Sequence, residues 1–203
     1  MLYPLSYGGS GGRTVPAHRG VADAVKLRRS LTGVRRVALF AVLLVLVGCA
    51  PAAPEPQPAV MRQTQPPWDA PRDAISYIEA AGLPLLDSGY RPEVTRTATL
   101  VVSVNGDELV VPAQIGRDRV RAVESALHTH SDDGTVWVEE VDADRIDDYR
   151  LADFFALWGV RFDSECLGAV CGGVEVRVDG EVLADPGAWV WQSDADVRVS
   201  VRG

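Results

Sequence analysis

TLVVSVNGDELVV, residues 99–111, consists of two runs of β-forming residues joined by Asn105-Gly106. A two-residue type I′ turn needs positive φ at both central positions, and Asn-Gly meets that need at low steric cost. The spacing predicts a hairpin with strands over residues 99–104 and 108–111.

Working outward, TVWVEEV (135–141) alternates apolar and polar residues and is rich in β-formers, so it reads as a strand. Val174, Val176 and Val178 alternate into Asp179-Gly180, a second hairpin turn ahead of residues 181–183. WVWQSDADVRVSV (189–201) reads as strand, turn and strand, with Val197, Val199 and Val201 on one face. LADFFALW (151–158) has the helical period instead: Leu151, Phe154, Phe155 and Trp158 fall at i, i+3, i+4 and i+7, and Gly159 follows as a stop. Residues 72–81 are expected to be a short helix, with Pro71 at the entrance, Gly82 just past the end, and Ile75 and Ile78 three apart. The expected fold class is α+β. A small, curled, mixed β-sheet would pack on one main helix in a β-grasp-like manner, preceded by a short helix, over residues 72–203.

The N-terminal region has another character. Residues 26–36 are basic, residues 37–47 are an uninterrupted apolar run, and Leu46-Val47-Gly48-Cys49 closes it. Eleven helical residues rise about 16 Å, too short for a hydrocarbon core of about 30 Å. The length suits the apolar region of an export signal. The closing four residues match the bacterial lipobox, in which the Cys thiol takes a diacylglycerol and the chain is cut just before it. Two acyl chains give the double anchor that stable membrane attachment needs. Residues 1–48 are therefore expected to be a signal peptide and Cys49 the lipidation site. Residues 1–25 are Gly-rich and precede the basic region, which points to initiation nearer Val21 or Val25. Residues 49–71 carry seven prolines and read as a lipidated, semi-rigid linker, so the N-terminal region is expected to be disordered. The expected location is the extracytoplasmic face of the cell membrane.

Export leaves Cys166 and Cys171 on the oxidising side, where a local disulfide is the favoured reading. Their Cys-x4-Cys spacing is not that of thiol oxidoreductases, and a zinc site would need further partners nearby. Residues 1–48 hold seven of the 20 Lys/Arg and, in Asp23, one of the 28 Asp/Glu, so the body is more acidic than the net charge of −8 suggests. Such a body repels nucleic acid and anionic headgroups. Lys26 is the only lysine and Asn105 the only asparagine, a bias expected of a GC-rich genome.

ALHTHSDDG (126–134) holds two of the three histidines. In extended chain His128 and His130 point the same way, as a chelating pair would. Asp132, Asp133, Glu139 and Glu140 are candidate partners in a mixed N/O shell for a divalent metal. Ser-Asp-Asp-Gly is also a plain turn signature, in which Asp side chains accept backbone N–H bonds. Trp189 and Trp191 share a face of their strand, either as cover over the core or as a stacking platform.

AAGLP (80–84), VNG (104–106), VPAQIG (111–116), LHTHSDDG (127–134), LADFFALWGV (151–160) and CLGAVC (166–171) together resemble a family of exported actinobacterial lipoproteins. The resemblance covers nearly the whole folded region and carries no activity with it. It implies a His-x-His before the first strand, where this chain has Thr97-Ala98-Thr99, and a His in the strand after the turn, where it has Trp137. A histidine cluster in this chain would thus be reduced to His128 and His130.

Three functions are in play. The first is a lipoprotein displaying a non-catalytic domain that binds a protein or small-molecule partner at the cell envelope, with no cofactor. The second is a copper- or zinc-binding envelope protein using His128 and His130. The third is an envelope enzyme built on the His pair with Asp132 and Asp133. Against the third, the chain has no nucleophile elbow, P-loop or dinucleotide fingerprint. A chain beginning at Cys49 also has no lysine for Schiff-base chemistry.

Overall fold

The computed structural model describes residue 55 and residues 57–203. The expected signal peptide, Cys49 and the start of the linker lie outside the described residues. Among the described residues, no helix is long and apolar enough to cross a membrane.

The first half of the fold contains helix α1 (Ala74–Ala80) and strands β1 (Leu86–Asp87), β2 (Val94–Val104), β3 (Asp107–Leu109), β4 (Arg117–Asp118), β5 (Val123–Glu124), β6 (Leu127–Thr129) and β7 (Thr135–Glu140). A 3₁₀ turn (Ala143–Asp148) leads into helix α2 (Leu151–Trp158). The chain ends with β8 (Cys166–Leu167), β9 (Val170–Cys171), β10 (Val174–Val178), β11 (Glu181–Val182) and β12 (Asp196–Val201).

The Asn-Gly turn forms as expected: Asn105 and Gly106 take φ of 56° and 96°, and β3 folds back on β2. The Asp179-Gly180 turn does the same between β10 and β11. The main sheet runs β11-β10-β12-β2-β7-β6, with β3 on β2. It is mixed, because β12 lies parallel to β2 while the other pairs are antiparallel. A small sheet, β1-β5-β4, and the two-stranded β8-β9 complete the α+β fold.

Alternation sets the core. Val197, Val199 and Val201 of β12 and Leu100, Val102 and Val104 of β2 are buried together with Phe154, Phe155, Leu157 and Trp158 of α2. Each such side chain contributes about 1.5–3 kcal/mol by leaving water. Gly159 ends α2 in the left-handed region (φ 68°), as its position in the sequence implies.

The folded unit reaches further back than residue 72. Arg62 pairs with the end of α2, donating its N–H to Gly159 O (2.8 Å) and its guanidinium to Trp158 O (2.7 Å) and Asp69 O (2.6 Å). Trp68 is 3% exposed and meets Trp158 edge-on at 5.9 Å, while Trp158 Nε1 donates to Trp68 O (3.0 Å). Proline-rich backbone needs no internal hydrogen bonds, so it can lie along a surface as easily as span solvent. A single large apolar residue, Trp68, decides between the two.

Other elements also shift. Helix α1 begins three residues after Pro71, with Asp73 before it. Strand β2 starts at Val94, earlier than expected, since Thr95, Thr97 and Thr99 pair across to β7. The region 189–191 makes one isolated bridge, Arg150 to Val190, rather than a strand. Trp191 is buried with its Nε1 donating to Arg150 O, and Trp189 packs on it edge-on, so this pair covers the core.

Cys166 and Cys171 form the expected disulfide, joining β8 to β9 as directly opposed residues with Cα atoms 4.1 Å apart.

Candidate functional site

The site is built on β6 and β7. In register, Leu127 faces Val138, His128 faces Trp137 and Thr129 faces Val136. Val136 and Val138 point into the core. By alternation Trp137 and Glu139 lie on the opposite face, where His128 is the direct neighbour of Trp137 and Glu139 sits on the diagonal. His130, two residues beyond His128, rejoins that face where the strand has ended.

The three side chains converge. His128 Nε2 lies 3.0 Å from His130 Nε2 and 3.3 Å from a Glu139 carboxylate oxygen, and His130 Nε2 lies 3.8 Å from that same oxygen. His128 is fully buried, the His130 side chain is 40% exposed, and the Glu139 side chain is 22% exposed. Among the described residues, this is the group of His, Cys, Asp or Glu side chains able to hold a metal ion. Tetrahedral coordination with bonds of roughly 2.0–2.1 Å to N and O puts neighbouring ligand atoms about 3.3–3.4 Å apart. The observed triangle brackets that spacing.

Hydrogen bonds dictate the tautomers. His128 Nδ1 is 2.8 Å from the Ser125 carbonyl, which can only accept, so Nδ1 carries the proton and Nε2 presents its lone pair inward. His130 Nδ1 is 2.9 Å from Arg117 Nη1, which can only donate, so here Nδ1 accepts and Nε2 carries the proton. The His130 Nε2–H then donates to His128 Nε2.

Electrostatics favour a ligand set. Burial, then the nearby charges of His128 and Arg117, hold the His130 imidazole below its ordinary range, so it is neutral at neutral pH. A proton on His128 Nε2 as well as Nδ1 lets that ring donate to Glu139, and this hydrogen bond holds the Glu139 carboxyl low against the opposing effect of its burial, with the charges of His128, His130 and Arg117 helping. Burial and the negative charges of Glu139, Glu124 and Glu140 push the Tyr90 phenol far up, so it stays an O–H donor to the Glu139 carbonyl (2.8 Å).

The outer edge of β6 is closed by residues 114–116. Gln114 N–H donates to Thr129 O (3.0 Å), Thr129 N–H to Ile115 O (3.1 Å) and Ser125 N–H to Gly116 O (2.8 Å). Gly116 has φ +74°, and a Cβ there would stand 2.6 Å from Leu127 O and 3.3 Å from His128 Cβ. Only glycine lets this cover close over His128. The next residue, Arg117 on β4, sits directly opposite Glu124 on β5 and pairs with it (Nε to Oε2, 2.5 Å).

Comparison of the chain with protein-family models, curated proteins and solved structures yields no match. The site's own geometry therefore carries the reading.

Of the residues singled out in the sequence, His128, His130 and Glu139 come together. Glu140 does not: it is fully buried on the core side, accepting hydrogen bonds from the Tyr149 hydroxyl and from the Val141 N–H (2.7 Å). Asp132 and Asp133 are exposed and outside the group, and Asp133 accepts the Thr135 N–H (2.9 Å) as a turn residue does. The Thr135 N–H and then the Ser131 hydroxyl hold the Asp133 carboxyl low. Trp137 stands 5.1 Å from the His130 ring, edge-on. Strand alternation alone separates Glu139 from Glu140, since Val136, Val138 and Glu140 share a parity. No sequence signal points to Arg117, Glu124 or the Ser125 carbonyl.

Proposed function

We propose that the folded domain binds a divalent transition metal, zinc or copper, through Nε2 of His128, Nε2 of His130 and the Glu139 carboxylate. One observation carries this: three ligand-type atoms from a strand pair meet at 3.0, 3.3 and 3.8 Å. Two imidazoles and a carboxylate suit either ion. A fully buried His128 held by the Ser125 carbonyl is pre-oriented as ligating histidines are. The partly exposed His130 leaves a fourth position toward solvent, for water or a small ligand. This replaces Asp132 and Asp133 with Glu139 in the ligand set.

The lipobox at Cys49 supports placing this domain on the extracytoplasmic face, anchored by lipid, as a binding module displayed at the envelope. The segment from Arg62 onward packs on α2, so the free tether would be shorter than residues 49–71. We read the fold as β-grasp-like. The first long strand, β2, and the last, β12, lie parallel at the centre, β7 and β10 flank them antiparallel, and α2 falls between β7 and β10 in the chain.

Calorimetric titration of the purified protein with Zn²⁺ and Cu²⁺ tests the metal reading. Binding at one ion per chain with micromolar or tighter affinity, lost in His128→Ala, is expected. No heat above that of the His128→Ala protein would overturn it. Radiolabelled palmitate incorporation, lost in Cys49→Ala, tests the anchor.

A further inference from the structure

Without metal the His130 Nε2–H is paired with His128 Nε2, and one residue outside the triangle keeps it so. His130 Nδ1 accepts a hydrogen bond from Arg117 Nη1, and that contact commits the His130 proton to Nε2, the atom a metal would use. We propose that Arg117 is a latch on the metal site, holding His130 in the tautomer that pairs with His128, and that metal enters only by displacing its Nη1 group. This rests on the metal reading and adds a residue that controls access to it.

When His130 Nε2 ligates a metal as a neutral imidazole, its proton moves from Nε2 to Nδ1, and the ring neither gains nor loses a proton overall. Nδ1–H and Arg117 Nη1–H would then be two donors facing each other at 2.9 Å, so the guanidinium arm must swing off. The fork geometry of Arg allows this without leaving Glu124 unpaired. Nε faces the Glu124 carboxylate, whose side chain is only 6% exposed, and that cross-strand pair survives while Nη1 moves. The released arm is a cation beside a bound cation, and it faces outward to the fourth position. An anionic ligand on the metal, a carboxylate or phosphate, would have it as a second contact.

The sign of the effect separates a latch from a support. A residue that merely props up His130 weakens metal binding when removed. A latch strengthens it, because the bound state no longer has to break a charge-assisted hydrogen bond or tolerate a neighbouring positive charge.

The test compares the full protein with Arg117→Met, which keeps the aliphatic stem and removes the donors. The double variant Arg117→Met/Glu124→Gln also removes the buried acid, and serves should Glu124 left alone prevent folding. Zinc binding is expected to tighten about tenfold or more in the folded variant. Long-range ¹H–¹⁵N spectra of the metal-free wild type are expected to show His128 protonated on Nδ1 and His130 on Nε2. In the variant, His130 should exchange between both tautomers. Zinc binding by the wild type that is unchanged or weaker in the variants overturns the latch alone. So does a wild-type His130 protonated on Nδ1 without metal. No zinc binding by wild type or variants overturns the metal reading, and the latch with it.

Discussion

The two sides of β7 have different fates. Val136 and Val138 go inward and join α2, β2 and β12 in one apolar cluster. Trp137 and Glu139, the residues between and beyond them, lie on the other side against His128 and His130, under cover of the segment that carries Gly116 and Arg117. On the inner side any apolar side chain of suitable size would serve, because burial is non-directional. On the outer side the contacts are atom to atom and directional: His128 Nδ1 with Ser125 O, His130 Nδ1 with Arg117, Arg117 Nε with Glu124. One strand therefore holds a face packed by apolar burial and a face organised by directional polar contacts.

The largest expected effect lies on the inner side of β7. Phe154→Ala should cost about 3–5 kcal/mol of unfolding free energy in chemical denaturation, through the cavity it leaves. The zinc affinity of the molecules that stay folded should be unchanged. A loss of affinity equal to the loss of stability would mean that the two faces are not independent.

Next comes the outer side. His128→Ala should weaken zinc or copper binding by more than about 100-fold, beyond what loss of a residue that only orients a ligand costs, and Glu139→Gln by about 10- to 100-fold. Trp137, beside His130, makes copper quenching of tryptophan fluorescence a direct readout. If both variants bind as the wild type does, the outer face has no ligand role.

The disulfide lies apart from both faces. Its closed loop is short, with a sequence separation of five, so replacing Cys166 and Cys171 by Ser should cost about 2 kcal/mol by the chain-entropy estimate. Metal binding should survive.

The smallest expected effect is in pH. His130 and Glu139 both titrate below their ordinary values in the folded protein, so the unfolded chain binds more protons in each window. Stability of the metal-free protein should therefore fall as pH drops below the ordinary His value of 6.5. It should fall again as pH passes below the ordinary Glu value of 4.5, with the losses complete once each folded value has been passed. Thermal melts between pH 8 and 3 would check this, and His130→Ala should flatten the first step.

Much of the fold was legible because its signals are local. Asn105-Gly106 and Asp179-Gly180 dictate turns by their own φ preferences, and Phe154, Phe155 and Trp158 declare a buried helical face by spacing. Half of the site was legible too, since His128 and His130 share a parity. Choosing Glu139 over Glu140, Asp132 and Asp133 needed the knowledge of which parity of β7 faces the core. The two-residue strands β1, β4 and β5 were not legible, being too short for any period to show. Nor was the packing of residues 62–71, where proline composition signals extended backbone without saying whether it is solvated.

The sequence by itself determined the two tight turns, the buried face of the main helix, the apolar side of β12 and the pairing of the two folded-region cysteines, because each depends on residues close in the chain. Tertiary structure alone decided that β12 joins β2 in parallel and that Trp68 is core. It also decided that Glu139 completes the histidine pair and that Arg117 reaches His130 from another sheet. Those contacts join residues 9 to more than 90 positions apart, and their partners are chosen by packing and hydrogen-bond geometry in the folded chain, which no local pattern encodes.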